Sequence, residues 1–156
     1  MQFPEELTRA AAFHTHLGPF LVVGLRMGRI VVREFGDEPF RTKIDVHTGR
    51  IPPYSCLSDG IQMSTPCTTG NGGMTVTDER AMRIDARQDD RLLSVQLRRE
   101  IFDWIENECS DTDQHAFSME IWEMPEEKLF VIEMRTAPGN QVDSGKQSSS
   151  DAGGDR

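Results

Sequence analysis

Two short segments hold most of the side chains able to bind a metal ion or move a proton. The first, Phe13-His14-Thr15-His16-Leu17-Gly18-Pro19, sets two imidazoles two positions apart, just before a glycine-proline break. Neutral imidazole is a common metal ligand and the usual acid or base near neutral pH. On a continuous helix, residues i and i+2 point to different sides, so the two histidines need not share a site. The competing reading is capping and packing at a helix end.

The second segment is Cys56-Leu57-Ser58-Asp59-Gly60-Ile61-Gln62, followed by Thr65-Pro66-Cys67-Thr68-Thr69-Gly70-Asn71-Gly72-Gly73. Pro52 and Pro53 precede it and the glycines close it, so Cys56 and Cys67 bracket a short helix between loops, with both thiols available to one pocket. The spacing is not that of a CxxC zinc knuckle. A disulfide is the competing reading for the pair. Asp59 and Gln62 lie three apart on one helical face, suited to holding a ligand or orienting a histidine from behind; a plain contact at the helix start is the alternative for Asp59. Gly70 to Gly73 lacks the Lys and Ser/Thr of a phosphate-binding loop and reads as a tight turn. His47 ends a strand shortly before the cysteine segment, as a site neighbour or a satisfied surface histidine. Cys109 reads as a small buried hydrophobe, and His115 as structural.

The elements that must position these groups follow from periodicity. Glu5 to Phe13 reads as a first helix, with Pro4 at its start, acidic residues in its first turn and Ala10 to Ala12 as strong helix formers. Phe20, Val23, Met27, Ile30 and Val31 recur at helical spacing up to Gly36, and Gly24 and Gly28 on one face of that helix allow another backbone to come close. Ile44 and Val46, and then Leu93, Val95 and Leu97, alternate with polar residues as strands do. Met74 to Thr77 and Ala81 to Ile84 are shorter strand candidates separated by Asp78 to Arg80, read as an antiparallel meander or hairpin. Ile101, Trp104, Ile105 and Cys109 form an amphipathic stripe, Gln114 to Trp122 a further helix, and Leu129 to Ile132 a closing strand. The expectation is one α+β domain over residues 1–136, with an antiparallel or mixed sheet packed by helices. From Ala137 to Arg156 the chain is mostly Ser, Gly, Asp and Gln, read as a disordered tail.

Composition narrows the function classes. A net charge of −9 with no Lys/Arg cluster excludes a nucleic-acid surface, and the segment from Ala137 carries only −1 of it. Three cysteines do not make a disulfide framework, and Met1 to Arg9 shows no secretory signal, so the expected compartment is the cytoplasm. Phe20 to Val32, interrupted by Arg26 and Arg29, falls short of the roughly 20 apolar residues of a membrane span.

Taken together, FHTHLGPFLVVGLRMG and HTGRIPPYSCLSDGIQMSTPCTTGNG closely resemble the two signature blocks of the E-type subunit of tungsten or molybdenum formylmethanofuran dehydrogenase. That family pattern runs approximately FHGHLGP, a glycine-bearing helix, then CxxDGIQxxTGCTxGKGN; the match is clear from Glu5 to Leu97 and looser to about Met134. The resemblance implies an α+β core, often a homodimer, with a pocket built from both blocks. Carried over by position, His14, His16, Cys56 and Cys67 become candidate metal ligands, and Asp59 and Gln62 the residues that support them, with His47 nearby. Thr15 and Pro66 stand where the family usually has Gly, and Asn71 where it often has Lys. Many relatives append a C-terminal zinc ribbon, whereas only Cys109 follows Cys67 here, so no role is expected that depends on a ribbon.

One or two thiolates with an imidazole leave an open position on a divalent ion of the zinc type. The leading expectation is a metal-binding accessory or ligand-binding protein of anaerobic one-carbon metabolism, such as methanogenesis, working as a homodimer or with other components of the dehydrogenase. A free-standing metal-dependent enzyme and a structural interaction module are the alternatives.

Overall fold

The computed structural model describes residues 2–138. Helix α1 (Glu5–His14) starts after Pro4 and stops where Thr15 adopts a left-handed conformation, φ 78°. Helix α2 (Pro19–Phe35) begins one residue past Gly18, with proline in the first turn where a missing N–H costs nothing, and ends as the Gly36 N–H bonds the Val32 carbonyl. Leu21, Val22, Val23, Met27, Ile30 and Val31 are each at most 1% exposed, so α2 is the central helix of the core.

Helix α3 (Cys56–Ser64) lies directly across α2. The contact depends on missing side chains. A Cβ on Gly24 would sit 2.1 Å from the Leu57 carbonyl oxygen, and one on Gly60 would sit 2.3 Å from the Leu21 carbonyl oxygen. Leu57 and Ile61 flank this crossing and are fully buried.

The sheet contains β1 (Lys43–Thr48), β2 (Met74–Thr77), β3 (Arg80–Gln88), β4 (Arg91–Leu97) and β5 (Phe130–Thr136), in the order β2-β1-β3-β4-β5. Ile44, Val46, Ile84, Ala86, Leu93 and Val95 form its buried face, and α2 and α3 cover it. The opposite face carries Asp45, paired with Arg87 at 2.9 Å, and Arg83 beside Asp85 at 3.2 Å. The α+β architecture with a mixed sheet is as the sequence indicated.

The expected hairpin from Met74 to Ile84 is not one. Strand β2 pairs parallel to β1, Ile44 opposite Met74, and the hairpin joins β3 to β4 instead. Asp78 and Glu79 pass over the end of β1, where Gly49, at φ 70°, donates its N–H to the Thr77 carbonyl. Two strand spacings are about 9.6 Å, a gap that three extended residue steps cover.

Helices α4 (Arg99–Glu108) and α5 (Gln114–Glu123) follow, then the short α6 (Glu126–Leu129). Arg26 of α2 reaches across to α5, its Nη1 donating to the carbonyls of Ile121, Trp122 and Met124, each at 2.8 Å. These are the carbonyls left free at a helix C-terminus, and a cation suits them. Ala137 extends the β4–β5 pairing through its N–H to the Asp90 carbonyl; the tail expected beyond it lies, from residue 139, outside the described residues.

Candidate functional site

The two histidines are brought together by the residue between them. A helix continuing through Thr15 would send His14 and His16 to different sides. The left-handed turn at Thr15 stops the helix and folds His16 back, leaving the ring centroids 4.7 Å apart at 40°. A β-branched residue holds this conformation at a cost of roughly 1–2 kcal/mol, and the usual glycine of the family pattern would hold it without strain.

His14 is the most constrained group in the site. Its Nδ1 lies 2.6 Å from Asp59 Oδ2, which points an Nδ1–H donor at the carboxylate and leaves Nε2 as the ring nitrogen turned away from it. That Nε2 is buried and has no hydrogen-bond partner. Leaving a buried polar atom unpaired costs about 1–3 kcal/mol, which a bound group would offset. Asp59 is held in turn: Gln62 Nε2 donates to Asp59 Oδ1 at 3.3 Å, while Gln62 Oε1 accepts the Thr69 N–H at 3.0 Å. A chain of contacts therefore runs from the loop after α3 to the imidazole. Histidine ligands in metal sites are commonly oriented by a carboxylate in this way.

Cys56 opens α3 one helical turn before Asp59, and it shares a cavity of about 430 Å³ with His16. The Gly18-Pro19 break and Phe20 form one wall of this cavity, Pro52 and Pro53, joined by a cis bond, a second, and the α4–α5 junction a third. Burial first, then the nearby Asp59 carboxylate, pushes the Cys56 thiol above its ordinary pKa. Without a metal it is therefore a protonated thiol at neutral pH. Iodoacetamide labelling of the Cys56 peptide in EDTA, followed by mass spectrometry, should be slow at pH 7 and still rising steeply with pH at about 8.5, the free-thiol value, because only the thiolate reacts. A rate already at its plateau at pH 7 would contradict this.

Cys67 is placed elsewhere. It is 2% exposed, and its thiol donates to the Thr42 carbonyl at 3.3 Å beneath β1, outside the cavity that holds Cys56. Burial pushes its pKa up as well. His47 also stands apart, on the polar face of the sheet, with Thr77 Oγ1 at 2.9 Å from Nδ1 and Asp85 Oδ2 at 2.8 Å from Nε2. Both its nitrogens are engaged. Among the described residues no three His, Cys, Asp or Glu side chains converge as a ready metal cage.

The α4–α5 junction adds groups that the sequence reading did not place here. Cys109, expected as a buried hydrophobe, is half-buried and lines the cavity. Gln114 lines it too: a Cβ added to Gly18 would lie 3.3 Å from His16 Nε2 and 3.4 Å from Gln114 Oε1, so the imidazole and the amide approach the same point. Glu106 stands at the rim and accepts from Tyr54 Oη at 2.9 Å. The one signal in the sequence was the interval between the stripe ending at Cys109 and the helix expected from Gln114, because a helix junction leaves its end residues at the edge of a layer.

Comparison with known proteins agrees with this architecture. The family described as "FmdE, Molybdenum formylmethanofuran dehydrogenase operon" matches residues 13–131. A curated protein of Archaeoglobus fulgidus, named a probable S-adenosyl-L-methionine-binding protein, is 31% identical over 98 residues, 60% of this chain. The aligned part is 27% of that relative's length. The crystal structure of an FmdE-like protein of the tungsten formylmethanofuran dehydrogenase type, from Syntrophus aciditrophicus, superposes with a TM-score of 0.61 at 18% identity, covering 92% of this chain and 77% of that one. At that identity the likeness is one of fold. The family match takes in both the histidine block and the cysteine block, and the chain belongs to the FmdE family.

Proposed function

We propose that this protein binds a divalent metal ion of the zinc type, together with a small ligand, as an accessory protein of one-carbon metabolism in the cytoplasm. The observation that carries this reading is the buried, unpartnered Nε2 of His14, aligned by Asp59 at 2.6 Å. His16 and Cys56 are the further donors. Cys67 is left out, because its thiol is committed to the Thr42 carbonyl beneath the sheet. Three protein donors or fewer suit an ion that keeps a position for a ligand, in contrast to a closed structural site. Such an ion would supply Lewis acidity and hold Cys56 as a thiolate. The chain's own part is to align His14 through Asp59 and Gln62 and to wall the ligand between Phe20 and the α4–α5 junction. Family membership supports other formylmethanofuran dehydrogenase subunits as partners, with a second copy of the chain as the further candidate.

Metal analysis of protein purified without added metal is the direct test. Wild type should carry close to one zinc per chain, and His14→Ala and Cys56→Ala should each lose most of it while keeping wild-type circular dichroism. Wild type that neither carries zinc nor takes it up at micromolar concentration sinks the reading.

The same Asp59–His14 pair favours a second reading, a metal-dependent enzyme. A carboxylate-aligned imidazole with a free nitrogen is also what a general base presents. An accessory protein turns nothing over alone, so substrate turnover by the isolated chain would decide for the enzyme.

A further inference from the structure

The cavity beside His16 has a one-sided chemistry. Among the described residues that line it there is no Lys or Arg. Its rim carries two carboxylates, Glu106 and Asp111. Tyr54 Oη occupies Oε2 of Glu106, and Oε1 has no hydrogen bond among the described residues. Gln114 turns its amide the same way: Nε2 donates to Asp111 Oδ1 at 3.3 Å, so the acceptor Oε1 is the end presented beside Gly18 and His16. Hydrogen-bond acceptors thus outnumber donors around the opening. The interior is apolar, with Phe20, Leu21 and Ile105 each under 5% exposed. Behind Phe20, Tyr54 and Phe102 pack at ring separations of 5.5 and 6.1 Å, so the aromatic wall is rigidly backed. A volume of about 430 Å³ lies inside the roughly 300–1,000 Å³ of small-molecule sites.

We infer that this cavity binds a small organic cation bearing N–H donors, an ammonium or amidinium group on an apolar or planar body, and discriminates against phosphorylated and carboxylate ligands. The inference rests on the reading above that the cavity is the functional site, and it adds the class of ligand. The charged head sits at the Glu106, Asp111 and Gln114 rim, where carboxylate and amide oxygens replace its water. The body lies on Phe20 and Ile105. In the metal-free protein an anion would meet two carboxylates there and no Lys or Arg among the described lining residues.

Benzamidine, benzamide and benzoate have nearly one shape and charges of +1, 0 and −1, so they separate charge from fit. Titrated into the protein in EDTA and followed by amide chemical shifts, benzamidine should saturate with the largest shifts at Phe20, Ile105, Cys109 and Gln114. It should bind about tenfold more tightly than benzamide, a ratio that one unit charge near a partly screened carboxylate supports. Benzoate should bind more weakly still. In the Glu106→Gln, Asp111→Asn double variant the three ligands should converge to within about twofold, whereas Glu5→Gln, Glu6→Gln should keep the preference, because it tests the overall charge away from the rim. Equal binding of the three by wild type, shifts centred elsewhere, or a preference that survives the rim substitutions would each overturn the inference. The test is made without metal, so zinc that fails to bind the wild type strikes the metal reading and leaves this one standing.

Discussion

Gly60→Ala should be, with Gly24→Ala, one of the two most damaging added methyl groups at the α2–α3 crossing, destabilising the protein by about 3 kcal/mol or more, at the upper end for overpacking. The added Cβ would meet the Leu21 carbonyl oxygen at 2.3 Å, the Leu25 nitrogen at 2.6 Å and the Gly24 carbonyl carbon at 2.8 Å. All three are backbone atoms of the central helix, so no rotamer change relieves the clash. The gain in helix propensity from Gly to Ala is about 1 kcal/mol and does not compensate. The expected midpoint is lowered by roughly 10 °C in a thermal melt, given the entropy of unfolding of a domain of this size. Gly28→Ala is the control. Its Cβ would meet Ser64 Oγ at 1.8 Å, Ser64 Cβ at 2.9 Å and Thr65 Cγ2 at 3.0 Å; the hydroxyl can rotate away, losing its bond to the Gly60 carbonyl, and the other two are side-chain atoms at the end of α3 that need to give only slightly. The lost hydrogen bond costs about 1 kcal/mol and is offset by propensity, so what remains is the small shift of the end of α3, and the loss should be clearly less than for Gly60→Ala. A Gly60→Ala protein that melts with wild type would show that the two helices are not packed this closely.

The second large effect concerns the support of His14. Asp59→Asn keeps size and shape but removes the charge that accepts from His14 Nδ1–H, and it lets the amide present a donor there instead. Zinc affinity should fall by about 10–100-fold, the usual effect of removing a carboxylate behind a histidine ligand. Competition against a chromophoric chelator at fixed pH measures it, with circular dichroism to confirm the fold. Gln62→Ala should move affinity in the same direction by less, since it touches only Oδ1, at 3.3 Å. An Asp59→Asn protein that holds zinc as tightly as wild type would assign Asp59 to packing alone.

Much of the fold was legible because periodicity reports directly on burial. The stripe from Phe20 to Val31 gave the central helix, and alternation gave β1 and β4. The two glycines of α2 announced a close crossing, though only coordinates identify Gly60 as the opposite partner. Strand pairing was less legible. Alternation shows which face of a strand is buried but not which strand lies beside it, and the short link at Asp78–Glu79 looks like a turn whether it reverses the chain or carries it over the end of β1. The site was legible as residue types and only partly as a place. His14 and Asp59 are 45 positions apart, and helical spacing correctly put Asp59 and Gln62 on one face of α3. Whether His14 and His16 meet depended on a single torsion at Thr15, which a β-branched residue does not advertise. Cys67 could not be placed from its spacing, because by that point the chain has already left α3 and dipped under the sheet.

The reach of Arg26 into the end of α5 has a consequence for recognition. Helix α2 supplies the Phe20 side of the cavity, and α5 begins at Gln114 on the opposite side. A guanidinium shared among three carbonyls ties those two walls into one frame from behind, at the far end from the opening. The distance between the aromatic wall and the first turn of α5 is therefore held, and the Pro52–Pro53 turn and the segment Cys109–Asp113 are the parts of the lining that this tie does not reach. A guest of the proposed kind would therefore be sorted by fit to a gap of set width, with little of its binding energy diverted to reshaping the receptor.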